Sequence, residues 1–454
     1  MGVRVPPLAL RVADATRLTP MQDARITLED LTPVRKRLQI EVPAAAVQAE
    51  LERAFQRVGQ HARLRGFRPG KAPRTIIERV YGAEVRREVL GRLVEQTFHE
   101  AIDTHRLAIV GTPDIDAETL TPGEALRYSA TVDVRPAITV GNLDDLTVAR
   151  PESTVGDADI ERVLGALRES VAQLRPVEDR ATVEAGDVVT VDLTSRLEGA
   201  EAVHRDGVLL EAGGGAFPLA LERQLVGQHR GARLSLRVPY PADYGNPGLA
   251  GKTAEFEVEV KELRTKELPP LDDDFARDHG RSETLAELRD RIRADLEREA
   301  TERADDAVRE AIIDQLLASH SFDVPPSLVE RRTEAVATSL EDRVPEGPER
   351  ERALADLRTR LRPGAERQVR AELLLDAIAA HEEIGVSDDD VSAEIETLAS
   401  RQREVVERVR ALYERPEARA ALRAKMTRDR ALARLVARAR VMPSSAAESV
   451  AHEK

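Results

Sequence analysis

Apolar residues fall at alternate positions toward the end of Val34 to Val42, at Leu38, Ile40 and Val42, which is the period of a half-buried strand. Pro43 then opens a run in which Val47, Leu51, Phe55 and Val58 recur at three- and four-residue steps, predicting a helix. After a short glycine- and proline-rich stretch, Pro73 sits where a first helical turn tolerates proline, and Val85, Val89, Leu93 and Ile102 continue a second helical face. Alternation returns at Tyr128, Ala130, Val132 and Val134 within Leu126 to Val134, a partner for the first strand. The stretch between the two helices is therefore expected to project from an α+β scaffold as a turn.

Further along, an extended acidic stretch and one amphipathic helix (Ile160, Val163, Leu164, Leu167) read as a connector over 141–172. Short strands dominate 173–264: Val188 to Leu193, Leu234 to Val238, and Ala254 to Leu263, with turn-forming EAGGGAFP and PADYGNPGLAG between them and a short helix near Leu219 to Val226. Beyond Pro270 the pattern turns helical. Leu285, Leu288, Ile292, Leu296, Ala300, Ala304, Val308, Ile312 and Leu316 make one long narrow stripe, with Ser282 as its expected cap. Ser327 with Glu330 and Ser387 with Asp390 have the spacing of capping boxes, while Pro363, Gly364 and Pro416 are expected to separate helices. Such helices, with dense Arg and Glu faces, would pack as antiparallel hairpins and form arms. The expected division is a disordered extension over 1–20, an α+β domain over 21–140, the connector, a β-rich domain over 173–264, an all-α domain over 265–441, and a disordered tail over 442–454.

Composition narrows the function classes. A chain of 454 residues with 33% charged, 41% hydrophobic and 3% aromatic residues is expected to be soluble, helix-rich and thinly packed. It contains no cysteine, which excludes disulfides, Cys-zinc sites and thiol nucleophiles. Nine histidines are scattered without metal-ligand spacing, so no metal site and no cofactor is expected. No apolar run approaches the roughly 18 residues of a membrane span, so no membrane partner is expected. Two prolines and Arg11 interrupt the opening MGVRVPPLALRVADA, which is read as a loose extension rather than a signal peptide, with Met21 an alternative start.

Against a net charge of -14, the segment RLRGFRPGKAPRT stands out. Arg63, Arg65, Arg68, Lys71 and Arg74 concentrate positive potential, and Gly66, Pro69, Gly70 and Pro73 fix a tight course around Phe67. Two outcomes are open: a solvated turn with Phe67 folded back on the helices, or a small cationic dock for a large anionic particle. A chain built to wrap nucleic acid would carry its basic face widely, and this one does not.

Gly66-Phe67-Arg68-Pro69-Gly70-Lys71-Ala72-Pro73 resembles the GFRxGxxP signature of the trigger factor family of bacterial ribosome-associated chaperones. The similarity extends from about Met21 to about Val441, through IIERVYGAEVRREVLGRLVEQ, GLAGKTAEFEVEVKELRTKELPPLDDDFAR and FDVPPSLVE. It implies an α+β multidomain protein with a ribosome-binding N-terminal domain, an FKBP-like β-rich prolyl isomerase domain and an elongated all-α C-terminal domain with arms. The implied partners are the large ribosomal subunit near the nascent-chain exit and unfolded nascent polypeptides, in the cytoplasm. By residue match, Phe67, Arg68 and Pro69 would touch the ribosome, with Arg63, Arg65, Lys71 and Arg74 as electrostatic support. A homodimer of the free protein is left open.

Prolyl isomerisation needs no acid or base, only an apolar pocket that favours the twisted imide. The FKBP resemblance places Phe217, Tyr244 and Phe256 at aromatic pocket positions. Leu193, the pair Val203-His204 and Leu221 stand where the family usually has aromatic or acidic residues, so a working pocket and a retained fold with weak activity both stay open. The same three aromatics are equally readable as core. The helical stripes either bind apolar clients or are consumed by partner helices. With no GxxxxGK[ST] loop, the expected function is an ATP-independent chaperone; the alternatives are mainly a prolyl isomerase, or an RNA-binding helical scaffold.

Overall fold

The computed structural model describes residues 3–4, 24–62, 67, 71–152, 154–198, 201–214, 219–240, 249, 251–280, 282–344, 347, 350–401 and 406–443. By internal contacts the chain divides into two units, Met1–Arg150 with Ala307–Lys454, and Pro151–Asp306.

In the first unit, strands β1 (Val3–Arg4), β2 (Arg25–Thr32), β3 (Arg35–Val42), β4 (Ile109–Ala117) and β5 (Leu126–Val134) form an antiparallel sheet in the order β1-β4-β5-β3-β2. The remainder of 1–20 lies outside the described residues. Leu38 pairs with Ala130 and Ile40 with Tyr128, so the alternating apolar faces of β3 and β5 are in register. Helices α1 (Ala44–His61) and α2 (Arg74–His105) cover that face with Val47, Leu51, Phe55, Val85, Val89 and Leu93, all buried. Within this core the Tyr128 hydroxyl lies 2.7 Å from Thr97 Oγ1, which also donates to the Leu93 carbonyl. Periodicity does not reveal β2 or β4. Edge strand β2 only partly buries Ile26 and Leu28, while β4 shifts register between Val110 and Asp114, around Gly111 at φ 76°.

The other half of this unit is helical. The C-terminal part of α6 (Leu285–Ser319) packs Val308, Ile312 and Leu316 against Leu374, Leu375 and Ile378 of α8 (Arg350–His381) and Leu435 of α11 (Pro416–Arg438). Leu143, Leu146 and Val148 of the segment leaving the sheet complete this core. His320 fastens the same segment: its Nδ1–H donates to Leu316 O, and its Nε2 accepts the Gly141 N–H at 2.9 Å. A parallel pair of short strands, β6 (Thr147–Arg150) and β12 (Arg440–Pro443), then lays the end of the described chain beside it. Residues 444–454 of the expected tail lie outside the described residues.

Three expected helix signals resolve differently. Thr284, not Ser282, caps α6, accepting the Glu287 N–H on its Oγ1, while the Glu287 carboxylate reaches back to the Glu283 N–H. Ser327 does not form a box with Glu330. Pro325 is the N-cap of α7 (Pro326–Leu340), and Ser327 instead gives its N–H to Asp133 and its hydroxyl to Val110 O. Pro363 and Gly364 do not divide the chain, because α8 runs through both. They face solvent, where water can take the carbonyl that proline leaves unbonded, while buried Ala365, Val369 and Leu373 hold the helix down. Ser387 and Asp390 do make a reciprocal box at the start of α9 (Asp388–Arg401), Asp390 N–H to Ser387 Oγ at 3.1 Å and Ser387 N–H to Asp390 Oδ2 at 2.9 Å. Helix α10 (Val406–Tyr413) packs on α9, and Pro416 opens α11 as expected.

The second unit holds the expected β-rich domain. Strands β7 (Gln173–Pro176), β8 (Val188–Leu197), β9 (Val203–Glu211), β10 (Arg233–Pro239) and β11 (Thr253–Glu267) form one antiparallel sheet, with path β10-β11-β8-β9 and β7 on the far end of β11. Helix α4 (Leu219–Leu225) buries Leu221 and Leu225 against it. Helices α3 (Asp157–Ser170) and α5 (Asp273–His279) join the first half of α6 through Ile160, Leu164, Phe275, Leu288 and Ile292. Periodicity misses β9 because this edge strand is almost wholly exposed and interrupted by a bulge opposite Asp192.

Candidate functional site

The loop between α1 and α2 is prepared by its two feet. Helix α1 stops at Ala62, whose extended backbone gives its N–H to Val58 O, and α2 starts behind Pro73, whose carbonyl accepts from Ile76 and Ile77. The helices approach closely just below the loop. A β-carbon on Gly59 would stand 3.1 Å from Ile77 Cδ1, so glycine there lets Ile77 pack across the hairpin. Arg74 is held by Glu78 at 2.7 Å, and its guanidinium lies 4.6 Å from the centroid of the Phe55 ring.

From these feet Phe67 reaches solvent, 40% exposed. It is not folded back on the helices. Lys71 and Pro73 are exposed too, while Ala72 packs on the core. Arg74 is thus a strut under the loop, and Phe67 and Lys71 are outward elements. Arg63, Arg65, Gly66, Arg68, Pro69 and Gly70 lie outside the described residues.

Of the three aromatics expected in the isomerase pocket, Phe256 is described and is 5% exposed, on β11 between Leu236 of β10 and Ser195 of β8. Phe217 and Tyr244 lie outside the described residues. Around Phe256 the buried cluster is aliphatic: Val191, Leu193, Leu221, Leu225 and Val238. Val203 is half exposed, and His204 bonds Thr194 Oγ1 and Asp206 at the surface rather than any pocket group.

A buried clip organises the start of β8. Arg180 grips Asp187 with both terminal nitrogens, at 2.6 and 2.7 Å, and Asp187 also accepts the Glu184 N–H at 2.8 Å. Burial pushes the Asp187 carboxyl up, but the bonds from Arg180 and Glu184 outweigh it and hold it below the ordinary carboxylate range. Among the described residues no cluster of His, Asp and Glu could hold a metal ion, and no helix is long and apolar enough to cross a membrane.

Three family matches tile the chain in the order of these elements. Residues 24–167 match bacterial trigger factor protein, 179–261 match FKBP-type peptidyl-prolyl cis-trans isomerase, and 284–437 match the C-terminus of bacterial trigger factor protein. A protein named trigger factor from Anaeromyxobacter sp. is 38% identical over 429 residues, covering 92% of this chain and 100% of its own. This chain belongs to the trigger factor family. Other trigger factors, from Geobacter metallireducens and Moorella thermoacetica, are 35% and 36% identical over 86% and 83% of this chain, and over 91% and 86% of their own lengths. The chain is accordingly a ribosome-associated chaperone of nascent polypeptides with an FKBP-type domain between its N- and C-terminal trigger factor parts.

Sequence reasoning gave Arg74 the same weight as its neighbours, though its anchoring signal was present in Glu78 at i+4. It also passed over Gly59, whose only signal is a glycine inside a helix.

Proposed function

We propose that the chain docks on the large ribosomal subunit beside the nascent-chain exit through the α1–α2 loop, and there holds emerging polypeptides without ATP, in the cytoplasm. The observation that carries this reading is Phe67, an exposed aromatic ring in the stretch between two locked helix ends, with Lys71 of the same stretch also exposed. An apolar ring amid cations suits a partner offering a small pocket in an anionic surround. Gly66, Phe67, Arg68, Pro69, Gly70, Lys71 and Pro73 are the contact residues of this reading, supported by Arg63 and Arg65; Arg74 acts by bracing the loop.

Co-sedimentation of the full chain with ribosomes tests it. The triple variant Phe67→Ala, Arg68→Ala, Pro69→Ala should bind at least roughly tenfold more weakly, the scale of losing one buried aromatic anchor and its neighbours. Binding equal to that of the unaltered chain would sink the proposal.

We infer in addition a slow prolyl isomerase in the FKBP-type domain, with Phe256, Phe217 and Tyr244 as its aromatic residues. The aliphatic neighbours Leu193 and Leu221 support slow rather than fast turnover, since they offer apolar surface but fewer rings. A proline-limited refolding assay should give a rate above buffer that falls in Phe256→Leu; a rate equal to buffer removes catalysis from the proposal.

A further inference from the structure

The first four turns of α2 present a second cationic face. At 100° per residue, Ile76, Arg79, Val80, Ala83, Arg86 and Arg87 share an arc of about 120°. It points away from the core, to which Gly82, Val85 and Val89 are turned. Val80 is 55% exposed, Arg79, Ala83 and Arg87 are exposed, and Ile76 and Arg86 are half-buried.

What separates this face from ordinary solvated helix is its charge pairing. Elsewhere on the hairpin arginines meet carboxylates of the chain: Arg53 and Arg92 pair with Glu50, Arg57 with Glu88, and Arg74 with Glu78. Arg79, Arg86 and Arg87 have no ion pair or hydrogen bond with any described residue. The acids of the stretch, Glu78, Glu84 and Glu88, lie on its flanks, and two of the three are engaged by Arg74 and Arg57. In a chain of net charge -14, three free guanidinium groups within about 12 Å of helix call for anions from outside. A row of like anions is what a nucleic-acid backbone supplies, and the planar guanidinium fork matches phosphate. A protein partner would need a dedicated carboxylate cluster to do the same.

We propose that this face of α2 binds backbone phosphates of ribosomal RNA, with Arg79, Arg86 and Arg87 as the phosphate contacts and Val80 and Ala83 lying against the sugar edge between them. It rests on the loop dock proposed above and extends that dock along the helix.

The test is ribosome binding of the full chain as a function of KCl concentration. Arg79→Gln, Arg86→Gln, Arg87→Gln removes three charges while keeping good helix formers at two exposed positions and one half-buried one. Each lost phosphate contact lowers the slope of log affinity against log salt by about 0.7 to 0.9, so the triple variant should lose about 2 to 3 from the slope. Its affinity at low salt should fall at least roughly tenfold, and triple Arg→Lys replacement should restore most of the slope. Unchanged affinity and slope would overturn the proposal, as would weaker binding at an unchanged slope, which would mean a partner other than phosphate. The loop triple variant measured in parallel separates the two ideas. If it loses binding while the α2 variant does not, the dock stands and the phosphate face falls; if it binds normally, the dock itself has failed.

Discussion

Asp133 on β5 accepts the backbone N–H of Ser327 at 2.7 Å, although 194 residues separate them in sequence. The other oxygen of this buried carboxylate takes Arg35 Nε at 2.9 Å, and the Ser327 hydroxyl bonds Val110 O. Gly111 lies directly under Ser327 at φ 76°, so a β-carbon there would both strain the backbone and overlap the serine side chain. Gly111→Ala should therefore destabilise the seam between β4 and α7 by about 2 kcal/mol or more. Adding Ser327→Gly should recover the steric part but not the backbone part. Urea unfolding of the single and double variants checks both, and additivity would show that the overlap does not matter.

Tyr128 gives a signature at high pH. Burial pushes its phenol far above the ordinary tyrosine value, against the smaller opposing effect of the Thr97 hydrogen bond. The folded state therefore holds this proton longer than the unfolded chain does. Its contribution to stability is complete below about pH 10 and fades as pH rises further. Absorbance titration should show one tyrosine ionising only with unfolding, and Tyr128→Phe should remove that late step.

The junction of α8, α9 and α11 should weaken in acid. Arg430, followed by the bonds from Ser387, holds the Asp390 carboxyl far below its usual range, and Arg438, helped by Arg434, holds Glu382 low. A depressed carboxylate stabilises the fold above its unfolded value of about 4, and that stability is lost as pH falls through the folded value. Thermal unfolding followed from pH 7 to pH 2 should show this loss. Replacing both groups, Glu382→Gln with Asp390→Asn, should lower the melting temperature at pH 7 and flatten its fall below pH 4.

The Arg180–Asp187 clip is predicted to matter more than any surface pair in the FKBP-type domain, because the Asp187 side chain is 3% exposed. Asp187→Asn keeps the shape but leaves Arg180 only the exposed Glu184, at 3.7 Å, as a counter-charge, at a cost of about 2 to 3 kcal/mol. Domain unfolding monitored by hydrogen exchange along β8 checks it, and unchanged protection there would show that the backbone bonds suffice.

These seams mark the limit of what was readable beforehand. Leu38, Ile40 and Val42 announced β3, and the stripe from Leu288 to Leu316 announced α6, because β3 faces one core, each half of α6 faces a core of its own, and each element repeats with its own period. Asp133, Gly111 and Ser327 carry no such period, since their significance arises only when distant segments meet. Ser327 illustrates the cost of local inference: its spacing to Glu330 fits a cap, but Pro325 already occupies that role and the serine is spent on another strand. In the loop, the pattern of glycine, proline and cation marked the outward turn. That Ala72, Val58 and Ile77 fill the core at the feet of the loop while Phe67 stays exposed is something no motif encodes.

Gly59→Leu tests that packing. The larger side chain would collide with Ile77 and spread α1 from α2, so it should cost about 1 to 3 kcal/mol and weaken ribosome binding without touching any contact residue. Normal binding in a destabilised variant would show that the loop tolerates a displaced foot.

The pairing of Arg440–Pro443 with Thr147–Arg150 sets an order of events during the protein's own synthesis. Strand β6 waits for a partner translated almost three hundred codons later, so that ladder cannot zip until Arg440–Pro443 has left the tunnel. An attendant of unfinished chains thus spends most of its own birth unfinished, with Leu143, Leu146 and Val148 waiting for α6, α8 and α11 to complete the core around them.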